Sequence, residues 1–435
     1  MKISKLHINQ FRHLENLEFD FTYQSGERKG EPLDKICFIG QSATGKTGLL
    51  DLLYQESSRL QNAVRFEEIT ENITPSYNNS DNISSGIINF ISNTIIRIFE
   101  IEKSNNDVIF FKSQTNEKLS DFELQNLAPI KENISIFYFK ANLISDKNID
   151  IFTKNPIDLI EMYRQTTEIN IENFLDKSFN HQNILFNDNV SPKNWLFLLS
   201  EILEYRKNFT QKMSELINNG NFKGIEENIK KWQKNNPNKV ESFGKEFNPL
   251  LEKLQLEVDL VNTKYPIPLK KKKTEEIISI ENTSTGTKGL LLSFLPLYKL
   301  DTSDSIVLID EPERSLYPDM QMELMDHYKR LAPQAQFIVA THSPFIAASF
   351  EPDERFILYF DNEGKVVVRR GTSPIGDDPN DMLYNDFGIN YINKYGQEKY
   401  QEYLDLKQKI YFENDPKKKE EISEQLEKLG DEYNF

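Results

Sequence analysis

Eight residues near the start of the chain, GQSATGKT from Gly40 to Thr47, fit the pattern G-x-x-x-x-G-K-[ST] at every position. The apolar run KICFIG precedes them and a leucine-rich helical pattern follows from Lys46, and this strand–loop–helix context gives the pattern its meaning. Backbone N–H groups at the helix start would bind phosphate oxygens, and the Lys46 ammonium would reach the β- and γ-phosphates. A chance glycine-rich turn is the alternative. The residues predicted to bind ATP here are Gly40, Gln41, Ser42, Ala43, Thr44, Gly45, Lys46, Thr47 and Gly48.

Two adjacent carboxylates end a second apolar run, SIVLIDE, from Ser305 to Glu311. A carboxylate at the end of a buried strand needs a cation or a metal to offset its burial. We predict that Mg²⁺ is held by Asp310 together with the Thr47 hydroxyl, and that Glu311 polarises the attacking water as a general base. The alternative is a strand that runs into a helix N-cap, where acidic residues are common.

A histidine follows a third apolar run, in FIVATHSPFI from 337 to 346. His342 comes just after this strand, where its imidazole could contact the γ-phosphate and sense its loss. A structural hydrogen bond is the alternative for a single histidine in this position. The predicted catalytic residues are therefore Lys46, Glu311 and His342.

Small and hydroxyl residues precede a strongly apolar helical stretch, ENTSTGTKGLLLSFLPL, from 281 to 297. Ser284, Thr285 and Gly286 stand where the helix should begin, so their hydroxyl and N–H groups could form a second anion site. An ordinary capped helix would look the same in the sequence.

The composition limits the classes of protein to consider. With 435 residues the chain should contain two or three substructures, and its net charge of -16 excludes a globally basic nucleic-acid surface. One cysteine, Cys37, excludes a disulfide framework and a cysteine-based zinc site. Neither a signal peptide nor an apolar stretch of about 18 residues is present, so we predict a cytoplasmic protein without a membrane partner.

Four segments follow from the changes in pattern along the chain. Residues 1–155 alternate like strands around the phosphate loop, and residues 156–268 have helical spacing with breaks at NNGN and NNPNK. Strand patterns return in 269–376, and 377–435 form a charged helical tail. The predicted fold is α/β, with a mixed sheet around the phosphate loop, an antiparallel β lobe and a helical insertion.

The motifs, in this order, resemble the ABC-type ATPase heads of the SMC and RecF class. They are more similar to bacterial AAA-family ATPases of the AAA_15 and AAA_21 type found in phage-defence and restriction operons, and to the ATPase half of OLD nucleases. The resemblance covers roughly residues 1–55 and 275–350. It implies an ATPase whose two heads enclose two ATP molecules, and hence a homodimer or a higher homo-oligomer.

The resemblance also assigns roles to single residues. Arg12, after the first hairpin pattern, matches a phosphate-contacting arginine, and His342 matches the switch histidine. Ser284 and Gly286 fall where the signature motif contacts the γ-phosphate of the opposite subunit, while ERSLYP occupies the D-loop position.

The sequence departs from the family pattern in several places. Thr285 and Thr287 replace the usual signature residues, and Tyr317 stands where transporter-type ATPases keep an aspartate. Gln114 and Gln125 are the candidates for the Q-loop glutamine. The segment after His342 offers no acidic cluster of the Toprim type, so we expect no fused nuclease.

The resemblance therefore predicts an ATPase that dimerises around ATP and controls an effector protein, a nuclease or toxin encoded by a neighbouring gene, in anti-phage defence. A RecF-like repair ATPase that binds DNA directly is one alternative, and Lys270–Lys273 would supply the local basic strip that it needs. The other is a slow-turnover scaffold that senses a trigger and releases a toxin.

Overall fold

A computed structural model describes residues 2–65, 85–92, 95–104, 107–108, 135–167, 183–218, 224–375, 379–389, 396–413 and 415–433. The chain divides into two compact units, residues 1–376 and 377–435. No helix among the described residues is long and apolar enough to cross a membrane.

All strands among the described residues belong to the first unit. In chain order they are β1 (Lys2–Phe11), β2 (Leu14–Asp20), β3 (Lys35–Gly40), β4 (Ser85–Ser92), β5 (Ile95–Ser104), β6 (Asp107–Val108), β7 (Ile136–Phe139), β8 (Asn183–Phe186), β9 (Leu256–Val258), β10 (Leu269–Lys271), β11 (Ile277–Ile278), β12 (Ile306–Asp310), β13 (Gln336–Ala340), β14 (Arg355–Phe360) and β15 (Val366–Arg370).

The helices of the first unit are α1 (Lys46–Arg65), α2 (Asp146–Thr153), α3 (Pro156–Thr167), α4 (Pro192–Asn218), α5 (Ile225–Asn235), α6 (Lys239–Glu252), α7 (Thr285–Lys299), α8 (Pro318–Leu331) and α9 (Pro344–Ala347). The second unit contains α10 (Pro379–Asn385), α11 (Gln397–Phe412) and α12 (Pro416–Tyr433). Short 3₁₀ turns cover Ile280–Asn282 and Pro352–Glu354.

A seven-stranded sheet organises the first unit, in the order β15-β14-β3-β13-β12-β7-β8. Every neighbouring pair is parallel except β14 and β15. The central strands are buried on both faces, which is why KICFIG, IVLID and QFIVA are continuous apolar runs. The carboxyl ends of β3, β12 and β13 therefore meet at one edge, as the strand patterns predict.

A five-stranded antiparallel sheet, in the order β2-β1-β4-β5-β6, forms the β lobe. Phe19 and Phe21 from this lobe pack against Phe38 of β3 and Phe356 of β14, with ring centroids 5.1–6.1 Å apart. Edge and tilted contacts of this kind add to the hydrophobic burial. The two sheets thus share one core, and the predicted combination of a phosphate-loop sheet with an antiparallel lobe is confirmed.

The fully buried Gln336 joins the two sheets through its side-chain amide. Its oxygen accepts a hydrogen bond from the Ile3 N–H at 2.8 Å, and its nitrogen donates to the Ile3 and Leu33 carbonyls at 2.9 Å each. Both N–H donors and the oxygen of this buried amide are thus hydrogen-bonded at the start of β13.

The segment 156–268 is not helical throughout, contrary to the prediction. β8 pairs in parallel with β7, with Phe186 opposite Phe139 and their rings stacked at 4.6 Å, so it is an edge strand of the main sheet. The prediction missed it because NILF is only one turn of helix long and carries no clear period. Within 269–376 the pattern of EEIISIEN predicts a strand, but only Ile277 and Ile278 pair before the 3₁₀ turn.

Candidate active site

The loop between β3 and α1 has a backbone that only particular residues can follow. Gly40 and Gly45 have φ of 131° and 90°, and Ala43 has φ of 65°. A Cβ on Gly40 would lie 1.9 Å from the Leu358 carbonyl oxygen, and one on Gly45 would lie 2.9 Å from the Leu14 side chain. Glycine is therefore required at both positions, for conformation and for space.

Lys46 at the start of α1 folds over this loop. Its ammonium donates hydrogen bonds to the carbonyl oxygens of Gly40 at 2.9 Å and Gln41 at 2.8 Å, and Thr44 bonds the latter carbonyl at 2.8 Å. Burial lowers the pKa of Lys46 to about 8, against the opposing effect of Asp310. A partly desolvated cation thus lies at the helix N-terminus, where phosphate oxygens bind.

Thr47 links α1 to the end of β12. Its hydroxyl lies 3.0 and 3.1 Å from the two carboxylate oxygens of Asp310. Burial raises the pKa of Asp310 to about 6, and Glu311 adds to the rise, although the Thr47 hydrogen bond opposes it. The carboxylate predicted at the end of a buried strand is therefore electrostatically unfavourable without a cation.

These two residues fit Mg²⁺, which prefers carboxylate and hydroxyl oxygens. The Thr47 hydroxyl and the Asp310 carboxylate are already adjacent, and Asp310 is only 8% exposed. In the part of the chain that the structure describes, no group of three or more His, Cys, Asp or Glu side chains could hold a metal by itself. A metal here would therefore take further ligands from phosphate and water, as Mg²⁺ usually does.

Glu311 follows Asp310 in a left-handed backbone conformation, with φ of 51°. Its N–H donates a hydrogen bond to the Ala340 carbonyl at 2.8 Å, and this bond ties the residue after β12 to the end of β13. A non-glycine residue in this region of φ is strained, and such strain concentrates at functional sites.

Glu313 is a residue that the sequence analysis overlooked. Its carboxylate accepts the backbone N–H of His342 at 2.9 Å and thereby joins the turn after β12 to the turn after β13. Burial raises the pKa of Glu313. Partial burial also lowers the pKa of His342, and the Lys46 charge lowers it further, so the imidazole is neutral near pH 7. The second glutamate in IDEPE, close after Glu311, was the sequence feature that could have pointed to Glu313.

Arg12 lies beside the first turns of α1, also with a left-handed backbone (φ 55°). A Cβ on Gly48 would be 3.4 Å from its guanidinium, which in turn lies 3.5 Å from Asp51. The structure thus brings Arg12, the phosphate loop, Asp310, Glu311 and His342 to one end of the sheet.

The signature stretch forms a well-capped helix start. Ser284 is the N-cap of α7, because its hydroxyl accepts the Thr287 N–H at 3.1 Å and pairs with the Thr287 hydroxyl at 2.9 Å. Ser284 and Thr285 are exposed, whereas Gly286 is buried. A Cβ on Gly286 would lie 2.5 Å from the Ser315 carbonyl, so this glycine lets α7 pack against the ERSLYP segment of its own chain.

Arg314, in the ERSLYP segment, donates a hydrogen bond to the Ala141 carbonyl of its own chain. Gln114 and Gln125 lie outside the described residues.

The lysines proposed as a DNA-binding strip, Lys270–Lys273, lie in and after β10, and three of the four are paired with carboxylates. Lys270 pairs with Glu257 at 3.1 Å, Lys271 with Glu276 at 2.6 Å, and Lys272 with Glu252 at 2.6 Å. Phosphate binding would have to displace these partners, so the strip is largely neutralised.

Residues 1–347 match the AAA_15 family, described as an AAA ATPase domain. The chain belongs to this family. The match covers the phosphate loop, the Asp310–Glu311 pair and His342 in one continuous span, and it confirms both the resemblance noted in the sequence and the predicted ATPase activity.

One curated relative is the Septu protein PtuA of Bacillus thuringiensis, 32% identical over 72 residues. That match covers 17% of this chain and spans only 18% of the relative. Among solved structures, an SMC head bound to the C-winged helix domain of ScpA is 14% identical, with a TM-score of 0.42 over 85% of this chain and 97% of that one. The SMC head domain from Thermotoga maritima is 12% identical, with a TM-score of 0.40 over 86% and 100%.

Proposed function

We propose that this ATPase binds ATP with Mg²⁺ at the end of the β3–β13–β12 strands, dimerises around the nucleotide and uses that cycle to control an effector protein in anti-phage defence. The observation that carries the nucleotide site is the pairing of the Thr47 hydroxyl with Asp310 beside the desolvated Lys46 ammonium. These groups come from distant parts of the chain and meet where a helix N-terminus already favours phosphate.

Each side chain has a distinct task in hydrolysis. The Lys46 ammonium would leave the Gly40 and Gln41 carbonyls and bind the β- and γ-phosphates, which neutralises charge that develops during phosphoryl transfer. Glu311 would accept a proton from the attacking water. Mg²⁺, held by Thr47 and Asp310, supplies charge stabilisation at the phosphates when bound. The neutral His342 imidazole would donate a hydrogen bond to the γ-phosphate and lose that contact after hydrolysis.

The proposed dimerisation is supported by the residues at the start of α7. Ser284 and Thr285 are exposed at the N-terminus of α7, a position that favours an anion. Gly286 packs against Ser315 of the same chain, so the start of α7, with its exposed Ser284 and Thr285, lies beside the ERSLYP segment. We therefore propose that these residues contact the nucleotide of a second copy.

The proposed effector control is supported by the motif resemblance to defence ATPases, and the stretch shared with the Septu protein PtuA is consistent with it. The ion pairs of Lys270, Lys271 and Lys272 favour a protein effector over direct DNA binding as the output of the ATPase cycle.

Glu311→Gln tests the nucleotide sandwich. Removal of the general base should lower kcat by about 100- to 1,000-fold and leave ATP binding intact, so ATP should accumulate in a stable dimer. Size-exclusion chromatography with light scattering, with and without ATP and Mg²⁺, measures the mass. The double variant Lys46→Ala/Glu311→Gln is the matched control and should remain in the nucleotide-free state. A Glu311→Gln protein that binds ATP with no change of mass would contradict the sandwich.

A mixing experiment tests whether Ser284 acts on the partner's nucleotide. Lys46→Ala and Ser284→Arg should each be inactive as homodimers, but a mixed dimer has one site with both native residues. Mixing the two variants should therefore restore a substantial part of the ATPase rate. If the mixture stays as inactive as its components, Ser284 acts within its own chain or has no role in the site.

A further inference from the structure

Asp51 on α1 collects an unusual set of donors beside the proposed metal site. Its side chain is 15% exposed and receives the Lys140 ammonium at 3.0 Å and the Arg12 guanidinium at 3.5 Å. The Tyr138 hydroxyl donates to the same carboxylate at 3.3 Å. Two cations thus surround one anion, and the cluster carries a surplus positive charge.

The position of Lys140 follows from strand register. β7 and β12 are parallel with Phe139 opposite Ile309, so the next residues, Lys140 and Asp310, leave the sheet side by side. Neighbouring strands are about 4.8 Å apart, which places the Lys140 backbone next to the proposed Mg²⁺ ligand. Lys140 also lines a cavity of about 50 Å³ together with Asp310, Glu311 and Arg314.

Helix geometry places the other half of the ion pair on the same side. Asp51 follows Thr47 by four residues on α1, so the two side chains share one face of the helix. The Lys140–Asp51 pair therefore lies one helical turn from the Thr47 hydroxyl. The Lys140 side chain is 31% exposed, so its ammonium has room to move toward the loop.

We propose that Lys140 is a phosphate-contacting residue of the ATPase site, held by Asp51 between turnovers and transferred to the γ-phosphate when ATP binds. This inference rests on the proposed nucleotide site. Lys140 would recognise the γ-phosphate, which distinguishes ATP from ADP. Asp51 would hold the Lys140 ammonium in an ion pair when the γ-phosphate is absent. Arg12 remains as the partner of Asp51 after the transfer.

The competing explanation is that the ion pair only fastens β7 to α1. The two explanations predict different effects of Lys140 substitutions on the binding of ATP and ADP. A γ-phosphate contact strengthens binding of ATP and leaves binding of ADP nearly unchanged, whereas loss of a structural tie weakens both and lowers the melting temperature.

Lys140→Met provides the first test, with Lys140→Arg as the conservative variant. We expect Lys140→Met to bind a non-hydrolysable ATP analogue about 10- to 30-fold more weakly in calorimetry, with ADP affinity within about 3-fold of wild type. Lys140→Arg should recover most of the difference. Lys154→Met is the matched control, because Lys154 pairs with Asp150 at 2.7 Å in an exposed helical pair, and it should change neither affinity. Equal losses for both nucleotides, or no loss for the ATP analogue, would overturn the proposal.

Asp51→Asn provides a second test, in which affinity for the ATP analogue should not fall. Release of Lys140 and Arg12 from the carboxylate should leave affinity for the ATP analogue unchanged or raise it by about 2- to 5-fold. A structural ion pair predicts that Asp51→Asn and Lys140→Met weaken binding alike, and that result would refute the proposal. If wild-type protein binds neither nucleotide, the proposed site itself fails; if it binds both and Lys140→Met is indistinguishable from it, only the role of Lys140 fails.

Discussion

The phosphate-loop end of the main sheet and the N-terminus of α7 are the two proposed phosphate-binding regions, but their polar groups are satisfied in different ways. At the first, burial raises the pKa of Asp310 to about 6 and lowers that of Lys46 to about 8. At the second, the Ser284 hydroxyl accepts the Thr287 N–H and pairs with the Thr287 hydroxyl of its own helix. The first region holds buried charges that are unfavourable without a partner, whereas the second is a capped helix start whose hydrogen bonds are made within its own helix.

Lys46→Ala should produce the largest effect and separate the two regions most clearly. Loss of the ammonium should weaken ATP binding by about 100-fold or more, because a charge-assisted phosphate contact disappears. Calorimetric titration with ATP and Mg²⁺ measures this. Lys365→Ala, in an exposed hairpin turn, is the control and should bind normally. Retention of wild-type affinity in Lys46→Ala would remove the phosphate-loop assignment.

Asp310→Asn should stabilise the nucleotide-free protein. Because the folded-state pKa of this carboxyl is raised to about 6, its ionised form is unfavourable above pH 6 and the penalty is absent below its unfolded pKa of about 3.8. We expect a gain of about 1 to 3 kcal/mol in the free energy of unfolding at pH 7, and only about 0.5 kcal/mol at pH 4.

Denaturant unfolding at the two pH values measures that difference, and Mg²⁺-dependent ATP hydrolysis should be lost at the same time. A destabilised Asp310→Asn at pH 7 would mean that the carboxylate is structural and the contrast between the two regions is false.

Gly286→Ala should destabilise α7, although alanine normally favours a helix. Its Cβ would lie 2.5 Å from the backbone oxygen of Ser315, which cannot move without shifting the D-loop, so we expect a loss of about 1 to 3 kcal/mol. Gly289→Ala is the matched control on the same helix. Its Cβ meets only the flexible Ile144 side chain at 3.1 Å, so thermal unfolding should show a small change of either sign.

Ser284→Ala should have the smallest effect on stability. Loss of the N-cap hydroxyl should cost about 1 kcal/mol in thermal unfolding, opposite in sign to Asp310→Asn. Ser284→Asn, which also caps helices, should recover most of the stability. If Ser284→Ala is as stable as wild type, the capping interaction contributes nothing and the hydroxyl is kept for a ligand alone.

The same contrast explains what could be predicted from the sequence. The positions of GQSATGKT and of the end of IVLID could be predicted from the adjacent residues alone, because a buried parallel strand ends where its polar residues begin. β8 was missed because only its pairing with β7 makes NILF a strand. Asp51 and Lys140 were also missed, because their proximity depends on the register between β7 and β12 and on the face of α1, neither of which the residues themselves specify.

The strand order has a consequence for how the protein is made. β3 emerges from the ribosome early, yet its two neighbours are β13 and β14, and the amide of Gln336 bonds Ile3 across 333 positions of the chain. Contacts of such sequence separation form slowly and expose apolar strands meanwhile. A nascent chain therefore cannot complete its nucleotide site until β14 has been synthesised, so a truncated product carries the whole GQSATGKT loop without the sheet that shapes it.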